Sequence, residues 1–272
     1  MDVLDRDVLD TAAALLATCP RRSALILDFD GVLSPIVIDP RSSRLPEAVR
    51  PALDALGRSL SVLAVVSGRP ASFLLDRVAV PGAVLRGSYG LETVVDGAVV
   101  LHPAVAPCTE AIAVALASLR AQFAHVEGLY VEEKSVSVAV HYRNATDPGA
   151  ARAVETAMGA LAARIHDDLA VTLEPIGGKR VWELKPQVAY DKSDAVDDLL
   201  AGSGATAVVY VGDDEGDVPA LNAARRHGGY GLVVQQQGET HPTVAEAASG
   251  FFADNDHLYR WLAALAGDVA VA

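Results

Sequence analysis

Aspartates cluster at two places in this sequence, each directly after a short apolar run: Asp28 and Asp30, then Asp213, Asp214 and Asp217. Carboxylates at positions i and i+2 of an extended segment point to the same side, so Asp28 could attack phosphorus while Asp30 donates a proton. Clustered carboxylates repel one another unless a cation neutralises them, and all-oxygen ligands favour a hard ion such as Mg²⁺. The two clusters therefore predict metal-assisted phosphate chemistry.

Each of these features also has a simpler interpretation when taken alone. The segment Asp28-Phe29-Asp30-Gly31 suits a solvated turn, although Gly31 could also let the backbone turn tightly beside a phosphate. Ser67, after a second apolar run, could hydrogen-bond a phosphoryl oxygen or simply cap the following helix. Lys192 could balance the carboxylates and a phosphate, or be an ordinary surface lysine.

The apolar runs before the aspartates have no polar alternation, which predicts strands buried on both faces of a parallel sheet. Ligands of open α/β sheets bind beyond the carboxyl ends of such strands, where both clusters would lie. Similar runs predict strands at 24–27, 60–66, 83–85, 207–211 and 232–234, alternating with helices.

The middle of the chain has a different pattern. Ser135–Arg143 alternates polar with apolar residues, as in a strand with one wet face. Helices at 111–123 and 147–165 are expected there, with further strands at 129–133, 169–173 and 180–184 and a turn at Gly177-Gly178. We therefore predict core segments at 1–104 and 186–272, with an inserted α+β domain at 105–185.

Composition narrows the possible partners. Lys and Arg total 22 against 35 Asp and Glu, a formal charge of −13, with no basic stripe for nucleic acid. The N-terminus lacks the pattern of a secretory signal, and no apolar stretch is expected to reach the ~18 residues that span a bilayer. Cys19 and Cys108 form no disulfide framework or metal pair. These observations predict a cytoplasmic protein without a nucleic-acid or membrane partner.

The order of Asp28, Ser67, Lys192 and the Asp213 cluster resembles that of the haloacid-dehalogenase-like phosphohydrolases. The resemblance implies an α/β fold, with a Rossmann-like parallel-sheet core and an inserted α+β cap. It also implies that Asp28 is the nucleophile and Asp30 the acid/base, with Ser67 and Lys192 holding the phosphoryl group. Asp213 with Asp214 and Asp217 would complete a Mg²⁺ site that includes Asp28 and Asp30.

Further motifs resemble the trehalose-6-phosphate phosphatase family: Ser67-Gly68-Arg69-Pro70, Gly87-x-x-Gly90-Leu91-Glu92, Glu132-x-Lys134, His141-Tyr142-Arg143 and Gly178-Lys179-x-x-x-Glu183. The resemblance implies a sugar-phosphate substrate, trehalose 6-phosphate. It implies that the following residues bind this substrate: Arg69, Glu132, Lys134, His141, Arg143, Lys179 and Glu183. Without the other motifs, the charged residues at 132–134 would suit a solvated strand edge.

The sequence departs from the family pattern at several positions. Ser88-Tyr89 stands where the family usually has Asn-His, and Gly216, Val218 and Leu221 stand where Thr, Glu and Phe are usual. Another substrate therefore stays open, such as a different glycosyl phosphate or a pseudo-disaccharide phosphate of the validoxylamine type. A phosphomutase and a catalytically silent sugar-phosphate-binding homologue are further alternatives.

Overall fold

The computed structural model describes residues 3–178, 180–236 and 240–271. The chain divides into two compact units: unit 1 is Met1–Val100 with Tyr190–Ala272, and unit 2 is Leu101–Ala189. The structure thus divides at 100/101 and 189/190, whereas the sequence predicts 104/105 and 185/186.

Unit 1 is built on an eight-stranded sheet in the order β12-β11-β10-β1-β2-β3-β4-β5. Its strands are β1 (Ser23–Leu27), β2 (Val62–Val66), β3 (Ala83–Gly87), β4 (Glu92–Val95), β5 (Ala98–Leu101), β10 (Ala207–Gly212), β11 (Tyr230–Val234) and β12 (Gly250–Phe252). The strands from β12 to β3 are parallel, whereas β4 is antiparallel to β3. The predicted α/β class and parallel sheet are confirmed.

Helices cover both faces of this sheet. They are α1 (Val3–Thr18), α2 (Arg50–Ser59), α3 (Ala71–Arg77), α6 (Lys192–Ser203), α7 (Val218–Arg226), α8 (Pro242–Ala247) and α9 (Asn255–Val271). Alternate residues of β1 enter different cores: Leu25 and Leu27 pack with the face of α1, α2 and α9, whereas Ala24 and Ile26 pack with that of α6 and α7. Burial on both sides explains the unbroken apolar runs, because no residue of such a strand faces water.

Three strands of unit 1 were not predicted: β4, β5 and β12. The first two are joined by Asp96-Gly97, both with positive φ (50° and 78°). An Asp-Gly pair between short apolar runs is a hairpin signal, so this hairpin was recognisable from the sequence. β12 has only three residues, too few for a periodic pattern.

Unit 2 contains a four-stranded antiparallel sheet in the order β6-β7-β9-β8, together with two helices. Its elements are α4 (Thr109–Phe123), β6 (Tyr130–Lys134), β7 (Ser137–His141), α5 (Ala150–Leu169), β8 (Leu173–Gly178) and β9 (Val181–Pro186). Val131, Val140 and Leu184 are buried on the face that packs against α4 and α5. Cross-strand register places Glu132, Ala139 and Glu183 together on the opposite face.

The strand expected at 169–173 is wrong. α5 continues to Leu169 and ends at Ala170, which adopts the left-handed conformation with φ 53°. The strand starts at Leu173 and includes Gly177 and Gly178, for which the sequence predicts a turn. At Gly177 the Trp182 ring packs close to the backbone, so that an added Cβ would lie only 3.1 Å from it, a close approach typical of glycine within a strand.

One segment contradicts the expectation that no stretch reaches membrane-spanning length. By length and composition alone, Pro103–Phe123 could cross a bilayer, and 33% of its apolar window is buried. Only Glu110 and Arg120 are charged within it. Core helices of globular domains satisfy the same criterion, and α4 buries the face that carries Ala111, Ala115 and Leu119.

Candidate active site

The two aspartate clusters meet because β1 and β10 are neighbouring parallel strands. Leu27 pairs with Val211, and the backbone N–H of Asp28 donates to the Val211 carbonyl at 2.9 Å. Parallel strands in register end at the same edge of a sheet, so Asp28 and Asp213 lie side by side there. The sequence predicted this meeting correctly from the apolar runs alone.

Lys192 is a buried cation against two of these carboxylates. It is the first residue of α6 and only 3% exposed, with its Nζ 3.1 Å from Asp28 Oδ1 and 2.6 Å from Asp217 Oδ1. Burial alone would lower the pKa of Lys192, but the two carboxylates outweigh it and raise that pKa. The interpretation of Lys192 as a solvated surface lysine is therefore wrong.

Asp28 is 6% exposed, and its Oδ1 accepts no hydrogen bond, because the approach of Lys192 does not meet hydrogen-bond geometry. Burial raises the pKa of Asp28 to about 7, with the Lys192 charge opposing and Asp217 adding to the rise. Lys192 therefore compensates the charge of this oxygen without a hydrogen bond, which leaves its lone pairs open to a ligand. This oxygen is therefore placed to react or to bind an ion.

Asp217 is completely buried and holds four donors. Its Oδ1 accepts from Lys192 Nζ and from the Tyr210 hydroxyl, each at 2.6 Å. Its Oδ2 accepts from the backbone N–H groups of Asp213 (2.9 Å) and Asp214 (3.3 Å). Because each oxygen already accepts from two donors, Asp217 is better suited to positioning Lys192 and the loop than to binding a metal directly.

The carboxylates of Asp28, Asp213 and Asp217 lie within 4.8 Å of one another. Burial, then the charges of Asp28 and Asp217, raise the pKa of Asp213 to about 9. A divalent cation would reverse this repulsion, so the all-oxygen set fits a hard ion. A Cβ on Gly31, which has φ +77°, would overlap the Asp213 carboxylate, so only glycine leaves the cluster intact here.

Asp30 and Asp214 do not join this cluster among the described residues. Asp30 Oδ2 accepts from Arg69 Nε at 2.6 Å, and its Oδ1 accepts from Arg69 Nη2 at 3.0 Å and Ser43 Oγ at 2.9 Å. Asp214 Oδ1 accepts from the Gly216 N–H at 2.8 Å, which caps the turn Glu215–Asp217. The side chain of Asp30 is thus held by Arg69 and Ser43, a pairing that the sequence pattern did not suggest.

A cavity of about 450 Å³ opens over these groups. Ser67, directly after β2 and 2% exposed, lines it with Asp28, Asp30, Arg69 and Lys192. The Ser67 hydroxyl accepts from the Arg69 N–H at 3.2 Å. The cavity therefore has carboxylates, cations and a hydroxyl on its walls, as a phosphate site requires.

Ser43, Tyr89 and Tyr210 belong to this site but were not singled out as functional. Tyr89 lines the cavity from the turn Ser88–Gly90, and the buried Tyr210 supports Asp217 from β10. The substitution of Ser88-Tyr89 for the usual Asn-His was the one sequence signal for Tyr89. Nothing in the pattern of β10 distinguishes Tyr210 from a core residue.

In unit 2, the polar face of the sheet brings four predicted residues together in two pairs. His141 Nε2 lies 2.7 Å from Glu132 Oε2 on adjacent strands. Lys134 Nζ lies 3.1 Å from Glu183 Oε1, which also accepts from Ser137 Oγ at 2.5 Å. Burial opposes ionisation of Glu183, but Ser137 and the two nearby lysines prevail and lower the pKa of Glu183.

Of the two remaining predicted residues of unit 2, one lies beyond the strand and the other cannot be placed on it. The strand was expected to run to Arg143, but β7 ends at His141 and Arg143 is exposed in the following turn. The prediction of a strand that reaches Arg143 is therefore wrong. Lys179 lies outside the described residues.

The sheet order and the strand-end carboxylates define the class of protein: the fold is that of the haloacid-dehalogenase-like hydrolases. A hydrolase of this class from Bacteroides thetaiotaomicron matches with a TM-score of 0.61 and 17% identity, over 88% of this chain and 98% of that chain. The crystal structure of a trehalose-6-phosphate phosphatase related protein matches with a TM-score of 0.66 and 19% identity, over 90% and 97%.

Sequence comparison then identifies the family. The trehalose-phosphatase family model matches residues 26–255, and the chain belongs to this family. A trehalose-phosphate phosphatase from Mycobacterium avium is 38% identical over 211 residues, 75% of this chain and 52% of that protein. The chain spans about half the length of the trehalose-phosphate phosphatases it matches. The predicted resemblance is confirmed.

Proposed function

We propose that this protein is a phosphatase that removes phosphate from trehalose 6-phosphate, giving trehalose and inorganic phosphate. The main support is the cavity where Asp28, with one oxygen free of hydrogen bonds, faces Lys192, Ser67 and Arg69. Membership of the trehalose-phosphatase family and the names of its relatives support the substrate.

The reaction uses the two carboxylates of the first cluster in turn. Asp28 attacks phosphorus, and the bond from phosphorus to the sugar oxygen breaks as Asp30 gives that oxygen a proton. Water then attacks the aspartyl-phosphate while Asp30 takes a proton from it, which releases phosphate and restores Asp28. Lys192 and Ser67 hold the phosphoryl oxygens during both steps.

Mg²⁺ would be held by Asp28 and Asp213, with Asp217 and Asp214 fixing the loop that carries Asp213. When bound, the ion neutralises charge on the transferring phosphoryl group. The crowding of carboxylates and the raised pKa of Asp213 support such an ion at this place.

The polar face of unit 2 supports sugar recognition. Glu132, Lys134, His141 and Glu183 carry charged or hydrogen-bonding groups in register, and such groups form strong directional bonds to sugar hydroxyls. We assign Arg143 and Lys179 to the same task on the family resemblance. The acidic composition supports the absence of a nucleic-acid partner, and a cytoplasmic location and the absence of a membrane partner stay predictions.

A second candidate is a phosphatase for another glycosyl phosphate, including a pseudo-disaccharide phosphate. It is favoured by Tyr89, which replaces a usual family residue in the wall of the cavity itself. Phosphate release with Mg²⁺ should be compared across trehalose 6-phosphate, glucose 6-phosphate and other glycosyl phosphates. The highest kcat/KM for trehalose 6-phosphate supports the proposal, and a higher value for another disaccharide phosphate would replace it.

A further inference from the structure

The turn that carries Tyr89 is strained. Ser88, Tyr89 and Gly90 have consecutive positive φ values of 50°, 61° and 102°. Left-handed backbone is unfavourable for residues with a Cβ, and a bulky aromatic side chain makes it rarer still. Such strain persists only where the surroundings impose it, and it concentrates at functional sites.

Buried hydrogen bonds impose this conformation. The Ser88 and Tyr89 N–H groups donate to the carbonyls of Arg69 (2.8 Å) and Ser67 (2.9 Å). The side chain of Glu92, fully buried, accepts from Ser88 Oγ at 2.9 Å and from the Ala71 N–H at 2.5 Å. The turn is therefore fixed to the segment that carries Ser67 and Arg69.

The turn determines where the ring of Tyr89 lies. The Tyr89 side chain lies against Gly68, where an added Cβ would be 3.1 Å from the phenol oxygen and Cζ, and its exposure is 42%. It lines the same cavity as Asp28, Ser67 and Lys192, and the apolar residues Ile36 and Val37 line that cavity too. A phosphate needs charge and donors, which other residues supply, so the ring faces a different part of the ligand.

We propose that Tyr89 is a specificity-determining residue whose ring packs against the pyranose that carries the phosphate. A pyranose has a face of C–H groups, and an aromatic ring offers it a flat apolar surface that needs little ordering. This proposal rests on the proposed function and deepens it, because it assigns ring-shaped leaving groups to the cavity of unit 1. In this proposal, the strained turn positions the ring that selects the substrate.

The test compares Tyr89→Phe and Tyr89→Ala on glucose 6-phosphate, trehalose 6-phosphate and acetyl phosphate, which has no sugar ring. Loss of the ring should lower kcat/KM about ten-fold for both sugar phosphates, a typical effect of one apolar contact, and leave acetyl phosphate within about two-fold. Tyr89→Phe should stay within about two-fold on all three. Ile38→Ala, at an exposed residue that follows Val37 in the chain but is not in the cavity lining, serves as the surface control.

Two further measurements separate this role from a structural one. The inhibition constant of inorganic phosphate should be unchanged in Tyr89→Ala, because the phosphate groups are untouched. Tyr89→Gly should unfold at a higher temperature than Tyr89→Ala, since glycine tolerates positive φ, yet lose the same sugar-phosphate activity. Equal losses on acetyl phosphate, or unchanged sugar-phosphate rates, would overturn the proposal. A wild-type protein without phosphatase activity on any ester would instead overturn the proposed function.

Discussion

Among single residues, Asp28 combines burial with an oxygen that accepts no hydrogen bond. Asp28→Asn should reduce steady-state hydrolysis below ~1% of wild type, because an amide cannot form the aspartyl-phosphate. Asp54→Asn is the matched control: Asp54 Oδ1 is also buried without a hydrogen-bond partner but lies on α2, outside the cavity lining. Activity of Asp28→Asn above that level would show that another group is the nucleophile.

The raised pKa of Asp213 predicts how the stability of the metal-free protein depends on pH. The pKa of Asp213 is about 9 in the fold against an ordinary 3.8, so the folded state keeps a proton that the unfolded state loses. Stability should therefore fall as pH rises from about 4 to 9, by at most about 1.4 kcal/mol per pH unit for this one proton. Asp213→Asn should show a shallower decline.

Urea unfolding in EDTA at pH 5, 7 and 9 measures this difference. The raised pKa of Asp28 contributes a decline of the same sign up to about 7, so some slope should remain in the variant. Parallel curves for wild type and Asp213→Asn would contradict the prediction.

Arg69 makes a bidentate contact with Asp30, the proposed proton donor. Lysine cannot reproduce this fork, so Arg69→Lys should lower kcat/KM by roughly 10–150-fold, as expected for a loss of ~1.5–3 kcal/mol. Arg77→Lys is a close control, because Arg77 stacks on the same Phe73 ring at 3.8 Å but does not contact Asp30. Similar values of kcat/KM for the two variants would show that Arg69 does not position Asp30.

For the secondary-structure elements, the proposed role of the unit 2 polar face in sugar recognition can be tested separately from the chemistry. Glu183→Gln should reduce kcat/KM for trehalose 6-phosphate about 10-fold or more, since a charged partner of a hydroxyl is lost. p-Nitrophenyl phosphate, without sugar hydroxyls, should be affected far less.

Glu133→Gln provides the control for this comparison. Glu133 is on β6 but on the opposite face from Glu132, and it pairs with Arg120 at 2.9 Å. Its rates should match wild type with both substrates. Equal losses on both substrates in Glu183→Gln would assign Glu183 to core chemistry or folding.

At the scale of the whole molecule, an acidic chain with a carboxylate cluster should depend on a cation. EDTA should abolish activity and lower the unfolding temperature, and Mg²⁺ should restore both by binding only the folded state. Ca²⁺ should restore stability better than activity, because its longer and looser coordination misplaces the phosphoryl group. Full activity in metal-free buffer would exclude a metal role.

The strands that bring Asp28 and Asp213 together can be predicted from local sequence, because a strand buried on both faces must be apolar throughout. The sequence also determined the order of motifs and the family. The hairpin at Asp96-Gly97 could be predicted from its Asp-Gly pair, although our sequence analysis does not include it. Strand β12 could not be predicted, because it is too short to show a periodic pattern.

The partner that each site residue contacts depends on how distant elements pack together. Lys192 is buried between two carboxylates, Asp217 is saturated by donors from β10 and its own loop, and Asp30 pairs with Arg69. Residues distant in the chain make these contacts, and the strain at Tyr89 depends on the buried Glu92. Local sequence encodes periodicity, but charge pairing and strain arise only when separate elements pack together.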